Sequence, residues 1–415
     1  MSIYLICLTN NGGLPILTLC LIILDYHALS QLAFSTLASL NGSHMFFKSL
    51  GVSLYTTYAE TWTYLWKDFN GSITIIVCSS GVSENNIELL AELVFGAFSL
   101  FVSRDELSNS ALLERLKKES KHYLPIIDAA LEFCTNQLLN FSYCLLSHDN
   151  AQILQRLNEF SVRCGSLFCC LMVGQNIAVA TEGWWDHLNI VDRQLLQLLL
   201  YTSVNLQNDI AVYLPKKSPN IAFRFITIPV SHNSVLCIIC GAEPKIRDLI
   251  DIAQNTFSND VFVLQSIERC MPRCLPDQFD LDSNIEAIIL ANTNTRKCVF
   301  SFNNTSTTHA KRFVGEGQPS DVLSKIFIQS LTNAFLAENQ QLEHISLSDQ
   351  YWYSDSHISY IKKDSNHNIL CLLCMSSVPV NTVKFNRGLL VLAQILFGFL
   401  ITVLINSVAH CLQSY

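Results

Sequence analysis

Two pairs of cysteines separated by two residues are the clearest candidates for chemistry in this sequence. Cys237 and Cys240 form one pair, and Cys371 and Cys374 form the other. This spacing occurs in halves of zinc ribbons and in dithiol redox motifs. Both pairs, however, lie inside apolar runs typical of buried strands, where positions three apart face opposite sides. Two thiolates placed in this way do not converge on one ion, so we predict core cysteines and not zinc ligands.

The other motifs that would indicate catalysis are missing from the sequence. It contains no phosphate-binding Gly-x-x-x-x-Gly-Lys-Ser/Thr loop, no Gly-x-Gly-x-x-Gly turn, no His-Glu-x-x-His pair and no Gly-x-Ser-x-Gly elbow. Cys270 and Cys274 lie in a loop, but no second pair of ligands accompanies them. Trp184 and Trp185 could stack on a ligand, although such pairs more often close a core or an interface. We therefore expect no catalytic residue, no cofactor and no metal.

The composition argues for a protein that binds other proteins. The chain has 415 residues, of which 50% are hydrophobic and only 14% are charged, against a usual charged fraction of about 25%. The formal net charge of -8 provides no basic field for nucleic acid. With so few charges, part of the surface is expected to be apolar and to form a partner interface. The sixteen cysteines, many of them in apolar runs, indicate a reducing, cytosolic compartment.

One order of elements occurs three times along the chain. Each copy begins with two apolar runs about a polar turn, which is the pattern of a β-hairpin, at residues 3–17, 167–180 and 285–302. A helix-like stretch follows each hairpin, at 31–40, 192–204 and 319–338. A very apolar run comes later in each copy, at 73–80, 235–241 and 369–376. Further helical stretches then follow, at 85–102 with 111–132, at 244–257 and at 385–405.

The three very apolar runs predict how each copy folds. A strand with one solvated face alternates apolar and polar residues, whereas a continuous apolar run indicates a strand that is covered on both faces. Such a strand lies in the middle of a sheet. Because strands that are close in sequence tend to pair, each copy is predicted to be a five-stranded antiparallel sheet flanked by helices, which is an α+β fold. The segment 138–146, between the first two copies, could add a further strand.

Two apolar segments resemble membrane signals. Residues 14–24 follow a Gly-Gly turn without a preceding basic flank, so a hairpin explains them better than a signal peptide. Residues 388–405 are uncharged and long enough for a transmembrane helix. The polar Gln394 within this segment favours a C-terminal helix buried against protein. Membrane association of residues 388–405 is the alternative.

Several multi-residue motifs resemble those of a known family. In chain order they are FSTLASLNGSHMF at 34–46, WKDFNGSITIIV at 66–77, LVFGA at 93–97, ELSN at 106–109, ERLKK at 114–118, AVATEGWW at 178–185 and VYLP at 212–215. Together they are similar to the tri-longin family of planar cell polarity effectors. The resemblance covers residue 1 to about residue 255, and the last third matches by length and element order only.

The resemblance implies three longin domains, which we place at residues 1–135, 140–268 and 277–415. It also implies a heterodimer with Inturned, an association with the WD-repeat protein Fritz, and a role in planar polarity and cilium assembly. Similar tri-longin pairs act as guanine nucleotide exchange factors on Rab-type small GTPases. The implied location is the cytoplasm, at the cytoskeleton, the cilium basal body or the polarised cell cortex. The chain departs from its relatives at residues 18–24, which are apolar where relatives tend to be polar.

Four residues are the candidates for a surface that faces a partner or a GTPase: Asn41, His44, Trp66 and Lys67. The alternative is that they form a helix end and pack a strand. Two rival functions remain at this stage. One is an assembly adaptor without exchange activity, and the other is a metal-dependent enzyme that would rest only on the cysteine pairs.

A short basic face on a predicted helix offers a further contact. Lys117, Lys118 and Lys121 lie close together, with Glu114 and Glu119 nearby. Ion pairs between these lysines and glutamates within the helix account for the pattern. A peripheral contact with an acidic membrane or with a GTPase is the alternative.

Overall fold

The computed structural model describes residues 2–10, 13–22, 34–107, 109, 112–136, 139, 141–203, 207–276, 285–302, 350–353, 357–363 and 367–376. Over these ranges the chain forms three β-sheets together with helices. The helices predicted at 319–338 and 385–405 lie outside the described residues, and so does the apolar segment 388–405. Among the described helices, none combines the length and the apolar character needed to cross a membrane.

The first sheet is antiparallel and has the strand order β2-β1-β5-β4-β3. Its strands are β1 (Ser2–Thr9), β2 (Pro15–Ile22), β3 (Thr56–Ala59), β4 (Trp62–Phe69) and β5 (Ile73–Ser80). Its helices are α1 (Phe34–Ser49), α2 (Glu84–Phe101), α3 (Arg104–Leu107) and α4 (Leu112–Asn136). The predicted first hairpin is confirmed, and the apolar run at 73–80 is the central strand. All of β5 up to Ser79 is buried.

Helix α1 is longer than the sequence predicts. The predicted helix ends at residue 40, whereas α1 continues to Ser49 and contains the Asn41-Gly42 pair. That pair signals a turn when only local preferences count. Tertiary contacts outweigh the preference, because Lys48 in the last turn of α1 binds the Asp68 carboxylate of β4. The prediction was therefore wrong about the end of this helix.

The second sheet has the strand order β8-β7-β11-β10-β9, so the apolar run at 235–241 is again the central strand. Its strands are β7 (Phe168–Val173), β8 (Asn176–Ala180), β9 (Asn208–Leu214), β10 (Ser218–Pro229) and β11 (Ser234–Cys240). The helices in this part of the chain are α5 (Asn150–Cys164), α6 (Glu182–His187), α7 (Ile190–Thr202), α8 (Ile246–Phe257) and α9 (Val261–Arg269). The hairpin, α7 and α8 agree with the predictions within a few residues. Helix α5, which precedes the hairpin, was not predicted.

The third sheet has the strand order β14-β15-β16-β12-β13-β6. Its five antiparallel strands are β12 (Ile285–Asn292), β13 (Lys297–Phe302), β14 (Gln350–Tyr353), β15 (His357–Lys363) and β16 (Asn368–Met375). The sixth, β6 (Ser142–Tyr143), comes from the segment between the first two copies and pairs parallel with β13. The amide of Ser142 donates to the carbonyl of Arg296 at 2.7 Å, and the amide of Cys144 donates to that of Cys298 at 2.7 Å. The further strand that the sequence left open therefore exists.

The chain divides into two compact units. The first comprises Met1–Asn140, Asp186–Ile226 and Ile239–Glu243. The second comprises Phe141–Trp185, Thr227–Ile238 and Pro244–Tyr415. The exact domain limits proposed from the sequence, 1–135, 140–268 and 277–415, stay predictions.

The central strand of the first sheet provides a test of the fold. Ile76 of β5 is fully buried, whereas Ile221 of β10 is 67% exposed. Ile76→Ala leaves a cavity in the core, so we expect the free energy of unfolding to fall by about 2–5 kcal/mol. The matched control Ile221→Ala is expected to change it by less than about 0.5 kcal/mol. Urea titration followed by circular dichroism measures both, and equal losses in the two variants would contradict the buried position of β5.

Candidate partner-binding surface

The structure does not bring the four candidate residues together on one surface. Asn41 and His44 lie on α1, whereas Trp66 and Lys67 are successive residues of β4. Successive side chains of a strand point to opposite faces of the sheet. Trp66 lies on the face that α1 covers, and Lys67 lies on the face that α2 covers.

Trp66 fastens α1 to the first sheet. Its ring belongs to a buried cluster in that sheet, which also contains Ile6, Leu8, Ile76 and Cys78. Leu37 and Leu40 of α1 pack against this cluster. The indole Nε1 donates a hydrogen bond to the carbonyl of Leu40 at 3.4 Å. Trp66 thus combines apolar packing with a polar contact to the helix backbone.

Asp68 provides a second, polar attachment of α1. His44 is 4% exposed, and its Nε2 lies 3.3 Å from Asp68 Oδ1. Lys48 Nζ lies 3.2 Å from Asp68 Oδ2 and also donates to Asn10 Oδ1. Thr74 of β5 donates to Asp68 Oδ1 at 2.6 Å. The sequence analysis did not single out Asp68, although a carboxylate beside Lys67 in a strand rich in aromatic residues was the signal for it.

Asn41 is half-buried on α1 and lies beside the turn of the first hairpin. Gly13 in that turn has a φ of +63°, and a Cβ atom at Gly13 would overlap with the Asn41 amide. The left-handed backbone favours glycine at position 13, and a larger residue there would also have to displace the Asn41 side chain. Asn41 therefore lies at the junction between α1 and the first hairpin.

Lys67 lies on the other face of the sheet, in a network of charges. Its Nζ is 2.7 Å from Glu88 Oε1 and 3.0 Å from Glu92 Oε1, both on α2. Burial alone would lower the pKa of Lys67, but the hydrogen bonds with the two carboxylates outweigh it and raise the pKa. Glu92 also binds Lys216 Nζ at 2.7 Å. Lys67 is therefore a charged residue held by the fold, with its side chain 18% exposed.

A buried carboxylate holds the turn that carries Lys216. Asp192 of α7 is fully buried and accepts hydrogen bonds from the backbone amides of Lys216 and Lys217, each at 3.0 Å. Burial raises the pKa of Asp192 to about 6, although the two amides act in the opposite direction. Protonation of this carboxyl group is therefore within reach of mildly acidic pH.

The exposed apolar residues of this region lie at the C-terminal end of α1 and just after it. We call them the α1 surface, which consists of Met45, Phe46, Phe47, Leu50 and Val52. Phe46 is 59% exposed and Leu50 is 61% exposed. The rings of Phe46 and Phe47 meet edge to face with centroids 5.6 Å apart. The composition predicted exposed apolar surface of this kind, but not its position.

The cysteine pairs lie where the sequence analysis expected them. Cys237 and Cys240 are in β11, Cys371 and Cys374 are in β16, and all four are buried and not joined in disulfides. Burial raises the pKa of Cys371. Across the described ranges, no group of three or more His, Cys, Asp or Glu side chains is arranged to hold a metal ion.

The two tryptophans differ in burial, because Trp184 lies in a core and Trp185 is partly buried against the core cluster of the third sheet. Trp184 is 1% exposed. Lys297 Nζ lies 3.9 Å from the centroid of the Trp185 ring, a cation–π contact.

Comparisons with known proteins agree with this architecture. A sequence model described as the first longin domain of FUZ, MON1 and HPS1 matches residues 3–130, and the model of the second longin domain of these proteins matches residues 164–258. The "Protein fuzzy homolog" of Mus musculus is 33% identical over 305 residues, covering 72% of this chain and 70% of that protein. The homologue from Homo sapiens is 32% identical with coverages of 72% and 69%. The homologue from Xenopus tropicalis is 30% identical with coverages of 72% and 72%.

Asp192 predicts a pH dependence of stability. Because its folded-state pKa is raised, the folded state holds this proton more tightly than the unfolded state does. The resulting stability is fully present below the unfolded pKa, about 3.9, and is lost as pH rises through about 6. Between pH 5 and pH 7 we expect the free energy of unfolding to fall by about 1 kcal/mol from this group.

Urea titrations at the two pH values measure this fall. Asp192→Asn has no titrating group at this position and should lose that part of the pH dependence. An unchanged dependence in the variant would contradict the assignment to Asp192.

Proposed function

This chain belongs to the Fuzzy family of longin-domain proteins, and we propose that it is a non-catalytic subunit that pairs with Inturned to form a guanine nucleotide exchange factor. The proposed substrate of the pair is a Rab-type small GTPase, and the proposed setting is planar cell polarity and cilium assembly. Fritz is the further partner that we propose. The site of action is the cytoplasm, at the cytoskeleton, the cilium basal body or the polarised cell cortex.

The α1 surface is the observation that supports a partner on the first longin domain. Covering apolar surface on binding lowers the free energy by about 25 cal/mol for each Å² removed from water. The exposed side chains of the α1 surface could therefore contribute to binding a partner. Contiguous exposed residues of this kind are typical of protein interfaces. Phe46 and Phe47 are also aromatic residues, which often contribute most to binding.

The attachment of α1 to the sheet supports the same proposal. Asp68 accepts a hydrogen bond from Lys48 and lies 3.3 Å from Nε2 of the buried His44, and Trp66 donates to the backbone carbonyl of Leu40. The helix is therefore already in place before a partner arrives, and little ordering cost remains to be met on binding. A rigid helix with an apolar end is suited to docking against another folded domain.

Exchange activity of this kind needs no nucleophile or metal in the longin subunit. A GTPase would dock on the paired first longin domains, and its switch segments would be rearranged. Bound Mg²⁺ and nucleotide would then lose their contacts with the GTPase. The pair can accelerate release only to the extent that it binds the nucleotide-free GTPase more tightly than the loaded form.

A charge on the α1 surface tests the partner proposal. Phe46→Glu places a carboxylate where an apolar contact is proposed, so we expect the Kd for Inturned to rise by roughly 30-fold or more, about 2 kcal/mol. Phe262→Glu is the matched control, because Phe262 is a helical phenylalanine that is 80% exposed on α9. Titration calorimetry with purified Inturned measures both. Equal loss in the two variants, or unchanged binding by Phe46→Glu, would contradict the proposed interface.

Release of a fluorescent guanine nucleotide tests the exchange proposal separately. The intact pair is expected to accelerate release from a Rab-type GTPase, and the pair assembled with Phe46→Glu is expected to be slower at limiting concentration. If the intact, stable pair accelerates no Rab-type GTPase, the exchange proposal is wrong. The protein would then act as an assembly adaptor of the polarity complex.

A further inference from the structure

Asparagine followed by glycine is a dipeptide whose side-chain amide can react with the protein backbone. The Cγ carbon of asparagine and the next backbone nitrogen can close a five-membered ring, and glycine adds no side chain to hinder their approach. The dipeptide occurs three times in this chain, at residues 11–12, 41–42 and 70–71. The first of these lies outside the described residues, and the other two lie in very different surroundings.

Asn70 and Gly71 form the turn between β4 and β5. Both have a positive φ, 51° for Asn70 and 65° for Gly71, as the two central residues of a type I′ turn do. The amide of Ser72 closes the turn by donating to the carbonyl of Phe69 at 3.0 Å. Asn70 and Gly71 are therefore the central residues of a tight hairpin turn.

This turn is open to solvent. Both central residues are exposed, and a Cβ atom placed on Gly71 would meet no other atom within 4 Å. Within the part of the chain that the structure describes, the amide of Gly71 donates no hydrogen bond. Ring closure requires Asn70 to rotate toward this nitrogen, and an exposed turn opens locally at small cost.

The same dipeptide is protected in α1. Asn41 and Gly42 lie inside this helix, where each backbone amide donates to the carbonyl four residues before it. Asn41 is half-buried, and its side-chain amide lies close against Gly13 of the first hairpin. A turn of helix would have to open before this pair could react. The two pairs share a sequence and differ in structure, which makes Asn41 an internal control.

We propose that Asn70 is a site of spontaneous deamidation, which alters the turn between β4 and β5 as the protein ages. The Gly71 nitrogen attacks Asn70 Cγ and forms the N–C bond of a succinimide ring. The proton of that nitrogen passes to the side-chain nitrogen, which leaves as ammonia. Water then opens the ring. Cleavage between the Gly71 nitrogen and Cγ gives aspartate, and cleavage between this nitrogen and the backbone carbonyl carbon gives isoaspartate. No atom is oxidised or reduced.

Isoaspartate would change the contacts of this turn with its neighbours. Its backbone runs through the former side chain, so the turn gains one backbone atom. The turn is tied to the first hairpin, because the amide of Asn10 donates to the carbonyl of Ser72 at 2.8 Å. Asn10 in turn accepts a hydrogen bond from Lys48 in the last turn of α1. Displacement of Ser72 therefore removes support from the C-terminal end of α1.

Incubation of the full chain at neutral pH and body temperature, followed by peptide mapping with mass spectrometry, tests the proposal. Deamidation replaces NH by O, so a converted peptide is heavier than its parent. Labelling by an isoaspartate methyltransferase distinguishes isoaspartate from aspartate. We expect Asn70 to convert at least about tenfold faster than Asn41, because the helix must open before Asn41 can react.

The wild-type time course decides the outcome without any variant. The proposal is wrong if Asn70 converts less than about tenfold faster than Asn41. It is also wrong if Asn70 keeps its amide while a synthetic peptide of residues 66–74 converts completely in the same buffer.

Hydrogen exchange tests the effect on α1. The isoaspartate form, isolated by ion exchange, is expected to exchange faster than the unmodified chain at residues 9–10 and 44–49. Asn70→Asp is the matched control, because it has the same added charge on a backbone of normal length, and it should exchange like the unmodified chain. Equal exchange in the isoaspartate form and in Asn70→Asp would contradict the proposed effect of the lengthened turn.

Discussion

The central strand of each sheet is covered on both faces, and the rest of the architecture depends on this burial. β5, β11 and β16 are apolar along most of their lengths and are buried at nearly every position. A strand of this kind is stable only between two neighbouring strands and beneath cover on each side of the sheet. The hairpins supply one neighbouring strand, β1, β7 and β12, and later strands supply the other, β4, β10 and β15. The same requirement, met three times, produces the triplicated α+β fold.

The first sheet meets this requirement differently on its two faces. Helix α2 is mostly buried and covers one face with a long apolar stripe. Helix α1 covers the other face with few apolar residues, and polar contacts from His44 and Lys48 to Asp68 complete its attachment. Apolar residues of α1 that are not needed for this attachment, such as Phe46, remain in contact with water. The proposed docking role of α1 requires its residues to be divided in this way.

Much of the fold could be predicted from the sequence, because hairpins and continuous apolar runs are local patterns. The end of α1 could not, since the Asn41-Gly42 pair favours a turn and the opposing contact, Lys48 with Asp68, joins residues 20 positions apart. Helix α5 was missed because its residues come before the hairpin, where the other copies gave no reason to expect a helix. Strand β6 has only two residues, and its partner β13 lies more than 150 positions away in the sequence. Its pairing therefore could not be predicted from local patterns.

The candidate site was harder to predict than the fold. Alternation along β4 was the available signal that Trp66 and Lys67 face opposite sides of the sheet. Exposure of Phe46 and Leu50 had no such signal, because both residues lie beyond residue 40, where the predicted helix ended, and Leu50 also lies just after α1 in the structure. Only the position of α1 on the sheet shows which of its apolar residues are left uncovered.

Hydrogen exchange on the full chain, with and without Inturned, tests the central claim most directly. The account predicts slow amide exchange in β5, β11 and β16 in both samples, with new protection on binding concentrated at residues 45–52. Exchange in β5 as fast as in α1 would contradict the proposed core. Protection that appears elsewhere while residues 45–52 stay unchanged would contradict the docking role of α1.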